Sequence, residues 1–196
     1  MEHIRDQVHS FFPEMNDVTN KDWVRQACSV WEEVLKRSKW ETMEQAPFGV
    51  STPGITLIGH TQAVLRNALG IAQNLRKIHQ GNTEINFDVL IVACILHDVD
   101  KLLAIEPAES GGCRYSNIAR TYQHGFYSAH YAELAGLPTS IVTLLINHTA
   151  QSRMPPATIE GMILFYADIA DADLCKFIHG QSSSLLKAVG KIVGGA

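Results

Sequence analysis

A chain of 196 residues, 46% of them hydrophobic, has enough apolar material for one sizeable domain, and no run in it is long enough to cross a bilayer. A formal net charge of −4 supplies no basic field to gather nucleic acid, so extended nucleic-acid binding is not expected. Four dispersed cysteines (Cys28, Cys94, Cys113 and Cys175), with no CxxC pair, argue against a zinc ribbon or a disulfide framework.

The N-terminal stretch MEHIRDQVHSFF mixes charges and lacks an apolar signal-peptide core, which predicts a cytoplasmic protein with free thiols. Residues 3–12 read as a short helix stopped by Pro13. In TNKDWVRQACSVWEEVLKRSKW, Asn20 is the cap, and apolar residues recur at helical spacing through Trp23, Ala27, Val30, Trp31, Val34 and Leu35. A loop with Pro47, Gly49, Pro53 and Gly54 leads into TLIGHTQAVLRNALGIAQNLRKIH, a long amphipathic helix ended by QGN. Residues 87–104 predict a helix that is apolar on nearly all sides and therefore central. The segment EPAESGGCRYSNIARTYQ breaks the pattern with Pro107, Gly111 and Gly112, and a loop of that length in a compact domain is disordered or functional. Helices follow over about 125–135, 139–148 and 157–178, and SSLLKAVGKIV predicts a weaker amphipathic helix docked on the core. With two short runs at most passing for strands, the fold class is all-α. Residues 1–50 are read as an N-terminal helical extension packing on a core formed by 51–196.

Nine histidines stand out, several of them beside apolar helical stretches rather than in a polar tract. His60 falls in the first turns of the amphipathic helix. His97 and Asp98, in CILHDVDKLL, close the central apolar helix, and adjacent residues there project about 100° apart, so both reach a site between them. His124 precedes Gly125 at a helix start. His130 lies six residues on and points about 120° away, which makes it a surface or supporting residue. His148 ends the apolar IVTLLINHT. Asp168 interrupts GMILFYADIADAD, where a carboxylate is costly unless paired or bound to a metal. Asp171, one turn on, is placed to support it, Asp173 faces elsewhere, and His3, His9, His79 and His179 are read as solvated. Together these segments deliver four imidazoles and two carboxylates. That is too many donors for one tetrahedral zinc and suits one or two octahedral first-row ions.

The ordered set His60, His97-Asp98, His124, His148 and Asp168 resembles the HD-domain metal-dependent phosphohydrolase superfamily over roughly residues 55–180. LHDVDK is similar to its signature, with Lys101 three positions after the aspartate. HGFYSAHYA and NHTAQSRMP…ILFYADIAD resemble its later ligand segments. One departure is Asp100, where family members commonly carry a small residue such as glycine. The resemblance implies an HD-type helical bundle around a metal site. It implies a first ion held by His60, His97, Asp98 and Asp168, and a second held by Asp98, His124 and His148. Iron or manganese is the expected metal, with Mg, Co, Ni or Zn as alternatives.

With two cations to generate hydroxide, and Asp98 and Lys101 as catalytic residues, the resemblance implies a phosphomonoesterase or phosphodiesterase. The substrate is expected to be a nucleotide or another small phosphorylated metabolite. The NHT and YAD segments also look somewhat like HD hydrolases of dinucleoside polyphosphates. Arg114, Tyr115, Arg120 and Tyr122 in the 105–123 loop, and Arg153 after HTAQS, are candidates for phosphate binding and base stacking. The same ligand set also occurs in HD-type mixed-valent diiron oxygenases that cleave C–C or C–P bonds, and a non-catalytic binding module is a third alternative. A homo-oligomer is compatible with all three.

Overall fold

A computed structural model describes residues 2–79 and 84–190, apart from the side chains of Glu2 and His3. The expectations placed on His3, on QGN and on the end of SSLLKAVGKIV therefore lie outside the described residues. The architecture is all-α, as expected, with one two-stranded ribbon. Helices α1 (Glu2–Phe11), α2 (Lys21–Arg37) and α3 (Leu57–Ile78) are followed by α4 (Phe87–Leu96) and the single turn α5 (Lys101–Ala104). After strands β1 (Ile105–Pro107) and β2 (Cys113–Tyr115) come α6 (Asn117–Thr121), α7 (Phe126–Leu134), α8 (Thr139–Asn147), α9 (Ile159–Ile178) and α10 (Ser184–Ala188).

Helix starts follow their caps. Asn20, Thr56, Asn86 and Thr158 each accept a backbone N–H in the first turn of the helix they precede. The apolar α4 is the axis of the fold: Val89 through Leu96 are all buried, and α2, α3, α8 and α9 all pack against it. Val8 of α1, Phe12 just after it and Trp31 of α2 share one buried cluster with Leu90, Ile95 and Leu145.

Two expectations are corrected. The helix predicted over 87–104 breaks after Leu96, because the carbonyls that would continue it are taken by side chains. His97 Nδ1 donates to Cys94 O at 2.7 Å, and Trp31 Nε1 donates to Ile95 O at 3.2 Å. Residues 97–100 then turn before α5 begins. The segment predicted as one long loop instead forms an antiparallel hairpin with Ile105 opposite Tyr115, followed by α6. Gly111 and Gly112 adopt φ of 89° and 75° in its turn, a conformation that glycine takes without steric cost.

Trp31 is fully buried, packs its ring on Phe12 at a centroid distance of 5.8 Å and closes the end of α4. Trp31→Ala is expected to cost about 3–5 kcal/mol of stability through cavity formation. Urea unfolding should show a lower midpoint at unchanged slope; a loss below about 1 kcal/mol would contradict this role.

Candidate metal centre

The break after α4 delivers the first two side chains of the centre. His97 and Asp98 are 0% and 1% exposed. His60 comes from the first turn of α3 and Asp168 from the middle of α9, while His124 precedes α7 and His148 ends α8. A single pattern organises the four imidazoles: each has its Nδ1 occupied by an oxygen. His60 Nδ1 meets Asp171 Oδ2 at 2.6 Å, and His97 Nδ1 donates to the Cys94 carbonyl. His124 Nδ1 lies 3.2 Å from Asp100 Oδ1, and His148 Nδ1 donates to the Leu145 carbonyl at 2.7 Å. Partners of this kind set the tautomer and ring angle and leave the other nitrogen free to ligate.

All four Nε2 atoms turn toward Asp98. His60 and His97 Nε2 lie 3.1 and 3.5 Å from Oδ2, and His124 and His148 Nε2 lie 2.7 and 3.6 Å from Oδ1. Asp168 Oδ1 completes the first group, 3.2 Å from His60 Nε2 and 3.8 Å from His97 Nε2. The result is two donor groups with the geometry to hold an ion: His60, His97, Asp98 and Asp168, and Asp98, His124 and His148. The charge state and burial fit cations. His148 Nε2 is buried with no hydrogen-bond partner, a costly arrangement that ion binding would relieve, and the Asp98 oxygens are held by Lys101 Nζ at 2.6 Å and His124 Nε2 at 2.7 Å.

Electrostatics follow from that crowding. Burial raises the Asp98 pKa, but Lys101, His97 and His124 outweigh it and hold the carboxyl well below its usual range. Burial opposes charge on His60, yet hydrogen bonds to Asp168, Asp171 and Asp98 raise its imidazole to about 10. Burial likewise opposes charge on His124, and Asp100 and Asp98 raise it to about 10. His97, with no carboxylate on its Nδ1, is pushed down to about 4, chiefly by burial.

The backbone around His124 is shaped for the same purpose. Gly125 has φ of 88°, and a Cβ there would lie 2.5 Å from the Leu145 carbonyl oxygen. Its N–H donates to Asp100 Oδ2 at 2.7 Å, and the Asp100 N–H donates to Ser128 Oγ at 3.1 Å. Asp100, read from the sequence only as a departure from the family pattern, is thus a buried carboxylate that aims His124. Asp171 supports His60 rather than Asp168. Asp173 turns away and caps α10 through the N–H groups of Ser184 and Leu185. His130 is exposed, and His179 is half-buried, with its ring nitrogens facing the Cys175 and Pro53 carbonyls, rather than solvated.

A cavity of about 760 Å³ opens beside the cluster and is lined by Lys101, Arg114, Tyr115, Arg120, Tyr122 and Asp168, among others. Arg114 is paired with Glu106 at 2.8 Å. Arg153 is exposed and does not line this cavity; Thr149, Ala150 and Gln151 do. Phe48 went unnoticed in the sequence because it lies in an irregular loop. Its ring packs on His60 at 3.9 Å between centroids and carries Lys101 Nζ 3.8 Å from its centre.

The raised groups fix a sign for metal uptake. Below a pH of about 6.5 the charged forms of His60 and His124 stabilise the metal-free fold fully, and that contribution is lost as pH rises through about 10. A cation must displace those protons, so apparent affinity rises with pH, and calorimetry near neutral pH in buffers of different ionisation enthalpy should show release of about two protons. In Asp100→Asn the release should fall to about one, and the second ion should bind about 10–100-fold more weakly while the first is unchanged. Equal weakening of both ions would contradict the role given to Asp100.

Comparison with curated proteins and with solved structures finds no match. The HD domain family profile matches residues 57–173, a span that contains every donor described above. The chain belongs to the HD domain family.

Proposed function

We propose that the protein is a phosphohydrolase that uses two divalent cations, iron or manganese, to cleave a phosphomonoester or phosphodiester of a nucleotide or small phosphorylated metabolite. One observation carries the reading. Asp98 offers one oxygen to each of two donor groups, and Lys101 Nζ lies 2.6 Å from that same carboxylate at the edge of a cavity with further cations. His60, His97, Asp98 and Asp168 would hold one ion, and Asp98, His124 and His148 the other. Bound ions of this kind lower the pKa of a shared water and neutralise charge on phosphoryl oxygens.

The chain's own residues have separate tasks. Lys101, half-buried and steadied by the Phe48 ring, presents a point charge to a non-bridging phosphoryl oxygen. Arg114 and Arg120 on the hairpin and α6 offer charge to a second anionic group, and Tyr122 and Tyr127, whose rings meet at 5.0 Å, offer a face to a flat leaving group. The free cysteines support a reducing, cytoplasmic setting, and among the described residues no helix is long and apolar enough to cross a membrane. Residues 1–50 would serve as a packing extension of the HD domain, which the shared cluster of Phe12, Trp31 and Ile95 supports.

The test is a screen of the metal-loaded protein for phosphate release and oxygen consumption over phosphorylated metabolites. Phosphate release without oxygen uptake is expected, and Lys101→Met should lower kcat about 100- to 1000-fold with metal content retained. Substrate-dependent oxygen uptake with a mixed-valence iron signal and no phosphate would overturn the hydrolase reading in favour of an oxygenase.

A further inference from the structure

A second cavity, of about 500 Å³, opens against α5, the hairpin and α6, and no metal donor lines it. Four cations from three parts of the chain converge there: Arg37 at the end of α2, Lys39 just beyond it, Arg114 on β2 and Arg120 on α6. Glu106 fastens two of them. Its Oε2 accepts Lys39 Nζ at 2.7 Å, and its Oε1 accepts Arg114 Nε and Nη2 at 2.9 and 2.8 Å. That engages one of the three ammonium N–H groups and two of the five guanidinium ones, so most donors are left over. Glu33 pairs with Arg37 at 2.6 Å. Four cations against two carboxylates leave a local positive excess in a chain whose formal net charge is −4. The walls are pinned: Trp40 Nε1 donates to Ile105 O at 2.9 Å, and Ser116 Oγ donates to Leu103 O at 2.6 Å.

We propose that this cavity binds a small phosphorylated anion of up to nucleotide size, at a site separate from the metal centre. Guanidinium and ammonium groups clustered in this way match phosphate oxygens, the arginines by paired N–H groups and the lysine as a point charge. Leu102 and Leu103, both buried, line the same cavity, and apolar walls strengthen each charge contact made against them. The volume falls within the range of small-molecule pockets, and a hollow held in place by hydrogen bonds needs no reordering to receive a ligand. An extended polyanion fits poorly, because the positive excess is confined to this hollow in an acidic chain. Arg114, Tyr115, Ile118 and Arg120 form the partition and line both cavities. Arg37, Lys39 and Glu106 line this one alone, and Lys101 and His124 line only the other. The site goes beyond the hydrolase reading and does not depend on it.

The test is a calorimetric titration of the metal-loaded full chain with imidodiphosphate, a diphosphate whose P–N–P bridge resists hydrolysis. Binding at this cavity is expected with Kd of about 1 mM or below. Arg37→Ala and Lys39→Ala should each weaken it about 10-fold or more, as the loss of a charge-assisted hydrogen bond requires. Lys101→Met, altered only on the metal side of the partition, should leave it unchanged. Arg37 and Lys39 are exposed, so circular dichroism and the thermal midpoint of their variants should stay close to wild type. Wild type that binds no probe up to several times that concentration would overturn the proposal. So would binding indifferent to both Arg37→Ala and Lys39→Ala, which would place the probe at the metal centre or on the general surface.

Discussion

Asp98 is a carboxylate with 1% exposure, and much of the fold can be read as the means of keeping its charge there. An isolated buried carboxylate would take up a proton rather than stay charged. Here its oxygens face four imidazole nitrogens and the Lys101 ammonium, which hold it ionised. Those nitrogens belong to helices that are far apart in sequence, so satisfying one side chain brings α3, the end of α4, the start of α7 and the end of α8 to a common point. Asp168 on α9 closes the ring from the remaining side.

The donors are held by the same devices that end the helices. His97 and His148 each terminate an apolar helix by bonding Nδ1 to a carbonyl three residues back, so the cap and the orientation of the ligand are one interaction. His60 and His124 use carboxylates instead, Asp171 and Asp100, and these are also the two imidazoles held protonated to about 10 in the metal-free chain. The carboxylates beside His60 and His124 outweigh burial and raise both imidazoles, whereas His97, with no carboxylate on its Nδ1, is pushed down by burial.

Much of this was legible in the chain itself. An apolar helix that ends in a histidine is a modest local signal, and it pointed to His97 and His148, whose Nε2 atoms the fold turns toward Asp98. Asp168 declared itself as a carboxylate in a run too apolar to shelter it. Two misreadings have physical causes. The apolar pattern does run on to residue 104, but the break after Leu96 depends on Trp31, a residue from another helix, and periodicity carries no information about it. The 105–123 segment looked structureless because strands of three residues are too short for an alternating pattern. The part played by Asp100 was invisible for a different reason: its value depends on His124 and Gly125, which approach it only in the folded chain. Phe48 likewise matters only once His60 and Lys101 lie against it.

The central claim is that Asp98 is shared between two cation sites and that both depend on it. Its most direct test is the metal content of wild type and Asp98→Ala, purified without chelator and reloaded under identical conditions, with folding verified by circular dichroism. The account predicts two ions per wild-type chain and none retained stably by the variant. A folded Asp98→Ala protein with full metal content, or a wild-type chain that takes up no metal, would contradict it.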